Sequence, residues 1–290
     1  MLQSFSFQRM TKVFTLILIC GAFGVIVRAQ EVSTARPVLD FDGNKVFSKQ
    51  ELLDVANKCL DRIGESGKPY ETEQLDYCLQ KVLAHIREKG YLQARVGDTL
   101  YEQNENVMRA TVPVTEGALY RVGEIKIEEV RMLAPTQIIE MIGLKTGDVA
   151  DGEKLALGMF ERVKQAYSNL GYIQYTAEIT PTFHLKDGAK EGVADFLIAV
   201  DEGPQFKIGS IKFAGGDKST TDMLRRELMV HDGEVFNQDL LSESIARMNN
   251  TGLYDRIDPD RDVDYQTNEK AALLNLTIRL KKKITTSVSR

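Results

Sequence analysis

Acidic side chains alternate with other residues in a short run near the C-terminal end of the chain. The run is Asp258-Pro259-Asp260-Arg261-Asp262-Val263-Asp264, and Glu269 follows eleven positions after Asp258 (269 − 258). This spacing resembles the calcium ligands of an EF-hand loop. However, Val263 replaces the turn glycine of such a loop, and the following Ala271 to Leu280 alternate as a strand does. We therefore predict no metal site here, but a strand with its carboxylates on one solvated face.

Three histidines, His85, His184 and His231, are the other candidates for catalysis or metal binding. A zinc site or a Ser-His-Asp triad needs histidines that converge with partner ligands, and no spacing in this sequence suggests that. The glycine-rich segment at 214–216 lacks the strand-turn-helix setting of a nucleotide-binding loop and reads as a turn. The sequence predicts no catalytic residue, cofactor or metal, hence no enzyme. A metal-dependent hydrolase in an unrecognised fold is the alternative.

The first 29 residues differ in composition from the rest. Arg9 and Lys12 precede an apolar run over 13–27, which is shorter than the roughly 20 residues of a membrane-spanning helix. Val27 and Ala29 are the small residues that a signal peptidase prefers, so we expect a signal peptide over 1–29, cleaved after Ala29. An uncleaved inner-membrane anchor is the alternative.

Net charge argues against nucleic acid as a partner. Formal net charge is −5 for the whole chain, and removing three basic and no acidic residues with the signal peptide leaves 34 basic against 42 acidic residues, or −8. Nucleic-acid-binding proteins need a basic surface. The predicted mature protein is acidic.

Cys59 and Cys78 are the two cysteines that remain after that cleavage. A pair of cysteines in an exported protein suggests a disulfide. Cys59 lies near the end of the first predicted helix and Cys78 early in the second, so antiparallel packing of the two helices would bring them together. Two buried free thiols are the alternative.

Three glycine-containing motifs recur at equal spacing and show how the predicted strands and helices are organised. Gly90-Tyr91, Gly171-Tyr172 and Gly252-Leu253-Tyr254 are 81 residues apart (171 − 90 and 252 − 171). Around each glycine the hydrophobic pattern repeats in the order strand, helix, helix, strand, strand. Because the helices and strands each have one apolar face, they must cover each other in a two-layer α+β module. The chain is thus predicted to contain three tandem modules.

The motifs at the module ends resemble those of polypeptide-transport-associated (POTRA) domains. The likeness rests on the β-α-α-β-β order, on the Val-x-Glu-Gly joints at 114–117 and 200–203, on the Gly-Tyr helix endings and on the stretch 211–254 of the third unit. The resemblance covers about residues 38–282 and divides them into POTRA-like units at 38–117, 118–203 and 204–282. With the signal peptide at 1–29, this leaves a short N-terminal segment 30–37 and a tail 283–290.

The resemblance implies both a fold and a cellular setting. Each module should hold a three-stranded mixed sheet, covered on one face by two helices, with its last strand central and its second strand at an edge. In that family such modules form the periplasmic arm of outer-membrane barrels of the BamA and TamA type, and single copies occur in FtsQ-like division proteins. No amphipathic barrel strands follow the third unit, so we expect this chain to act beside a separate barrel protein. Pro113 falls in the would-be central strand of unit one, where its missing N–H costs a ladder bond, so we expect the sheet to end or bulge there.

An open edge strand can bind an extended peptide through its backbone. We therefore expect a non-catalytic periplasmic scaffold, associated with the outer membrane through a partner, that docks unfolded outer-membrane proteins or a separate barrel protein. The alternative is a structural subunit of a barrel, secretion or division complex that contacts only a folded partner. We expect the outward donors to include those of Thr176 and Glu178. The candidate edge is the most regularly alternating stretch of unit two: Tyr172, Ile173, Gln174, Tyr175, Thr176, Ala177, Glu178 and Ile179.

Overall fold

The computed structural model of this protein describes residues 35–281, except 68–69 and 105–106. The predicted signal peptide, most of the segment 30–37 and the tail 283–290 lie outside the described residues. In the described part, no helix is both long and apolar enough to cross a membrane.

Module one begins with a strand and two long helices, followed by the strands of a hairpin. Its elements are β1 (Val38–Asp42), α1 (Lys49–Gly64), α2 (Thr72–Glu88), β2 (Arg95–Val96), β3 (Leu100–Asn104) and β4 (Val107–Thr115). The hydroxyl of Ser48 accepts a hydrogen bond from the Glu51 N–H (3.1 Å), which caps the start of α1. Strand β4 is central: it pairs in parallel with β1 and antiparallel with β2 and β3.

The sheet of module one is irregular at Pro113, as the sequence predicts. Strand β4 itself continues through Pro113 to Thr115, and the neighbouring strand is interrupted, between β2 and β3 at 97–99. The carbonyl of Pro113 accepts a hydrogen bond from Gly97 (2.8 Å), so Pro113 faces this interruption. The N–H that proline lacks would face the same side, so its missing hydrogen bond falls at the interruption.

Module two repeats the order with a more complex second helix. Its elements are β5 (Leu119–Glu128), α3 (Pro135–Ile142), α4 (Gly152–Leu157), a π-helical turn (Gly158–Val163), α5 (Lys164–Asn169), β6 (Thr176–His184) and β7 (Glu191–Asp201). Strand β7 is central, between parallel β5 and antiparallel β6. A Cβ on Gly158 would come within 2.6 Å of the Ile142 Cα, so only glycine permits this close approach to α3.

Module three has the same topology. Its elements are β8 (Lys207–Ala214), α6 (Lys218–Arg225), α7 (Gln238–Asn250), a short α8 (Pro259–Asp262), β9 (Val263–Asn268) and β10 (Leu273–Arg279). Strand β10 is central, between β8 and β9. Each module encloses its own hydrophobic cluster between the helices and the sheet. The predicted α+β architecture of three β-α-α-β-β modules is confirmed.

Candidate functional site: an open strand edge and its joint

The candidate edge strand is shorter at its N-terminal end than predicted. Strand β6 begins at Thr176, whereas Tyr172 to Tyr175 form a turn after the helix layer, so the prediction of a strand over Tyr172–Ile179 is wrong for its first half. The Tyr172 N–H donates to the Tyr167 carbonyl (2.9 Å) and the Tyr175 N–H donates to the Tyr172 carbonyl (3.3 Å). These local bonds use the backbone groups that a ladder would need.

Side chains of this turn serve the core and the joint instead of an edge. Tyr175 is buried, and its ring stacks on that of Tyr167 with centroids 4.8 Å apart. Ile173 packs against the core of module three, and the Gln174 amide donates to Glu269 of that module (3.1 Å). The alternation of apolar and polar residues over 172–175 therefore arises from burial between two modules, not from a strand.

The hydrogen-bond pattern shows which groups of β6 face outward. The carbonyl of Lys190, just before β7, accepts a hydrogen bond from the Leu119 N–H of β5 (3.1 Å). Because backbone groups alternate between the two edges of a strand, even-numbered residues of β7 face β5 and odd-numbered residues face β6. The unbroken register pairs Glu178 with Ala199. Thus Thr176 and Glu178 bond to β7, contrary to our expectation.

The first outward N–H groups of β6 are those of Ala177 and Ile179. Their sheet has the order β5-β7-β6, so no described strand lies on the outer side of β6. Two residues further, Pro181 occupies the next outward position, where it lacks a donor but costs no ladder bond. Beyond Pro181 the Phe183 N–H also faces outward, so the two consecutive outward donors of β6 are those of Ala177 and Ile179.

Other edges in the described modules offer less backbone. Strand β6 has nine residues, β3 has five and β9 has six. The opposite edge of module two is partly covered, because the Val122 N–H donates to the Asp148 carbonyl (2.8 Å). In module three the Ile208 N–H likewise donates to the Glu234 carbonyl (2.7 Å). Strand β6 is thus the longest of the hairpin edges in the described part of the chain.

Both module joints use one arrangement. The carbonyl of Gly90 accepts from the Tyr120 N–H (2.9 Å), and that of Gly171 accepts from the Phe206 N–H (2.8 Å). Both glycines have positive φ, 91° and 86°, which favours glycine. Two positions after Gly90, Leu92 packs against the core of module two, as Ile173 does against module three. The repeated Gly-Tyr motif is thus part of each joint.

Two buried glutamates have a role that sequence reasoning missed. Glu116, from the first Val-x-Glu-Gly joint, accepts backbone hydrogen bonds from Lys45, Val46 and Phe47 (2.8–3.0 Å). Glu116 in module one and Glu202 in module two each hold the loop between the first strand and the first helix of their module. The recurrence of Val-x-Glu-Gly at both joints was the available signal, but the partners are about 70 residues away in sequence.

Glu202 is the counterpart in module two. It accepts from the N–H groups of Arg131 (2.7 Å) and Met132 (2.9 Å) and from the Tyr167 hydroxyl (2.9 Å). Burial acts to raise the pKa of Glu202, but these hydrogen bonds, together with the Arg131 charge, bring that pKa below its ordinary value. Burial and the bond to Glu202 also raise the pKa of Tyr167. The Glu202 carboxylate is therefore an anion at the joint that binds the loop at Arg131 and Met132 and the helix residue Tyr167.

The structure places a disulfide between Cys59 and Cys78. Their Cα atoms are 5.5 Å apart, on the facing sides of α1 and α2. Such a distance is in the usual range for a disulfide. The antiparallel packing expected from the sequence thus brings the two sulfur atoms together.

The acidic run near the C-terminal end is not a continuous strand. Asp258 caps the one-turn helix α8, and strand β9 starts only at Val263, so the prediction of a one-faced acidic strand is wrong. Asp262 is buried and accepts from the Lys281 ammonium (2.7 Å). That bond and one from the Asp258 N–H lower the pKa of Asp262. The carboxylates of Asp258 and Asp262 therefore accept hydrogen bonds from nearby groups of the protein.

Histidines, like these carboxylates, contact protein groups in the structure. His85 lies 2.9 Å from Glu51 and His184 lies 2.9 Å from Asp195. Among residues 35–281, with the gaps given above, no three His, Cys, Asp or Glu side chains are placed to hold a metal ion.

Comparison with known proteins gives matches along all three modules. A family model named POTRA and described as "surface antigen variable number repeat" matches residues 39–117, 120–203 and 206–283. Among solved structures, the chain is similar to the crystal structure of Haemophilus influenzae BamA POTRA3-5, with a TM-score of 0.67 and 19% identity, over 89% of this chain and 100% of that one. At that identity the likeness concerns the fold.

Curated relatives extend well beyond the matched region. The outer membrane protein assembly factor BamA of Neisseria meningitidis serogroup B is 21% identical over 228 residues, 77% of this chain and 28% of the relative. A putative outer membrane protein assembly factor of Treponema pallidum is 25% identical over 228 residues, 77% of this chain and 26% of the relative. This chain thus corresponds to roughly a quarter of each of these proteins.

Proposed function

This chain belongs to the POTRA family, and from that premise we propose that it is a non-catalytic periplasmic module that docks extended polypeptide during outer-membrane protein assembly. The setting is supported by the two curated relatives, which are named as outer membrane protein assembly factors. The docked chains would be unfolded outer-membrane proteins or a segment of a separate barrel protein. Association with the membrane would be through that partner.

The open edge of β6 is the observation that carries this proposal. The outward N–H and C=O groups of Ala177 and Ile179 can pair with an added strand, and backbone pairing makes little demand on the sequence that is bound. A client with alternating apolar and polar residues, as in a barrel strand, suits such pairing. Within the predicted segment the binding residues are then Thr176 to Ile179, and Tyr172 to Tyr175 position them.

Proline substitution at an outward position tests this mechanism. Ala177→Pro removes one outward donor, and the loss of one net hydrogen bond, about 0.5–1.5 kcal/mol, predicts roughly 2- to 10-fold weaker binding. The matched control Ala177→Ser keeps the donor and should bind as the wild type does. Binding is measured by fluorescence anisotropy with a labelled ten-residue peptide of alternating apolar and polar residues, after circular dichroism has shown that each variant is folded.

The reverse substitution should strengthen binding. Pro181→Ala restores an N–H at the next outward position of β6, so affinity for the same peptide should rise by a few-fold. Equal affinities of wild type, Ala177→Pro and Pro181→Ala, all folded, would show that β6 is not the docking strand.

A second candidate is a structural subunit that contacts only a folded partner. On the helix side of module two, such a partner could cover Phe160, which is 48% exposed on the π-helical turn. A Phe160→Ala variant that loses its envelope partner but binds the peptide normally would support this second function.

Whether the chain is cleaved after Ala29 is decided by the mass of the envelope protein, and retention of residues 1–29 would favour an FtsQ-like anchored subunit.

A further inference from the structure

A groove on the helix layer of module one has the features of a second binding site. It lies between α1 and α2 and encloses about 480 Å³. Val55, Ile63 and Cys59 of the disulfide supply its apolar floor. The groove is on the helix side of its module, whereas the proposed peptide edge is a strand of module two, so it is independent of the proposed function.

The rim of this groove is positively charged. Lys58, Arg62 and Lys81 line it, and no carboxylate does. None of these three cations forms a salt bridge with any residue that the structure describes, and the nearby Asp61 is paired with Arg36 (3.1 Å). Lys58 and Arg62 are four positions apart on one helix face, where like charges repel. The fold therefore holds three cations together without pairing any of them with a carboxylate of the described residues.

An exposed aromatic residue stands beside these cations. Tyr77 is 57% exposed, and the Lys81 ammonium lies 5.1 Å from the centre of its ring. Tyrosine combines a large apolar ring with a polar end, and it is enriched where proteins contact each other. The groove thus offers an apolar floor, an aromatic wall and a cationic rim.

The disulfide fixes the width of the groove. Cys59 and Cys78 tie α1 to α2 directly beneath it, with Cα atoms 5.5 Å apart. A groove held open in advance loses less conformational entropy when a ligand binds. The covalent link is therefore part of the site as well as of the core.

We propose that this groove binds an acidic segment of a partner protein. An aliphatic or aromatic side chain of the segment lies on the floor formed by Val55 and Ile63, and its flanking carboxylates pair with Lys58, Arg62 and Lys81. From Val55 to Ile63 the helix rises about 12 Å, the length of about four extended residues. A short acidic motif with one or two apolar anchors is the partner of this size and charge.

The shape of the groove favours a peptide over a lipid surface. The apolar atoms lie at the bottom of a groove with the charges around it, so a flat headgroup layer would reach the charges but not the floor. A narrow peptide reaches both.

The test uses the full mature chain and a labelled eight-residue peptide with a Leu-Phe centre flanked by glutamates. The wild type should bind this peptide, bind a glutamine-flanked version at least several-fold more weakly, and lose affinity as salt rises. Replacing Lys58, Arg62 and Lys81 by Gln should weaken binding about tenfold. Tyr77→Ala should weaken it and Tyr77→Phe should not.

A control variant with the same change in charge keeps this test specific. Lys145, Lys218 and Lys270 are exposed cations outside the groove, and replacing all three by Gln should alter affinity less than twofold. Reduction of the disulfide should weaken binding in the wild type. Equal losses in the two triple variants, no binding to the wild type, or binding of phosphatidylglycerol vesicles in place of the peptide would each overturn the proposal.

Discussion

Modules one and two share a fold and a joint but stabilise their helix layers and sheet edges differently. Module one ties its two helices with the Cys59–Cys78 disulfide and has an interrupted strand at its edge. Module two has no cysteine, a second helix with a π-helical turn, and an unbroken nine-residue edge strand. Thus module one is covalently fixed and offers a side-chain groove, whereas module two offers a backbone edge.

Removing the disulfide should have the largest effect on this comparison. Cys59 and Cys78 are 19 residues apart in sequence, and their disulfide limits the conformations of the unfolded chain. Replacing both by serine should therefore lower the free energy of unfolding of module one by about 3 kcal/mol. Module two should be unaffected. Hydrogen exchange resolved by module measures both, and unchanged stability of module one would contradict the role given to the disulfide. Free thiols in protein purified without reductant would do the same.

The two joint glycines should differ in their tolerance of alanine. A Cβ on Gly171 would lie 2.8 Å from the Phe206 carbonyl, whereas a Cβ on Gly90 would meet mainly side chains of Val149 and Leu119. Side chains move more easily than backbone, so Gly171→Ala should cost about 2 kcal/mol, including the positive-φ penalty, and Gly90→Ala less. Thermal unfolding of the two variants checks this order.

Glu202→Gln should destabilise module two by about 1–2 kcal/mol at neutral pH, because three donors lose a charged acceptor. The pKa of Glu202 is lowered in the folded state, so its carboxylate stabilises the fold above the ordinary pKa of about 4.3. That contribution is lost as the pH falls through the lowered pKa. The difference between wild type and Glu202→Gln in denaturant unfolding should therefore shrink on acidification, and a constant difference would assign the effect to packing alone.

Tyr175→Phe should have the smallest effect. The buried Tyr175 hydroxyl has no hydrogen-bond partner in the described structure, and burial raises the pKa of Tyr175. Removing an unsatisfied hydroxyl should leave stability unchanged or raise it by up to about 1 kcal/mol. At the equivalent position of module one the residue is the buried Ala94, so this site is apolar in both modules. Thermal unfolding of the variant would show a clear loss if the hydroxyl had a structural role.

Sequence patterns sufficed for the architecture because each module repeats its own hydrophobic periods. Antiparallel packing of the two predicted helices also allowed Cys59 and Cys78 to meet, although the sequence left two free thiols as the alternative. They failed at 172–175, because a turn buried between two modules alternates just as a strand does. The direction of each N–H along β6 depends on the register with β7, and the partners of Glu116 and Glu202 depend on the tertiary fold. Neither the direction of these N–H groups nor the partners of the two glutamates can be predicted from the neighbouring residues in the sequence.

Amide hydrogen exchange in β6 tests the strand-addition mechanism most directly. Without peptide, the N–H groups of Thr176 and Glu178 should be protected by their bonds to β7, while those of Ala177 and Ile179 should exchange freely. Saturation with the alternating ten-residue peptide should slow exchange at Ala177 and Ile179 and leave Thr176 and Glu178 unchanged. If the peptide binds while Ala177 and Ile179 continue to exchange freely, it docks elsewhere and the account of the β6 edge is wrong.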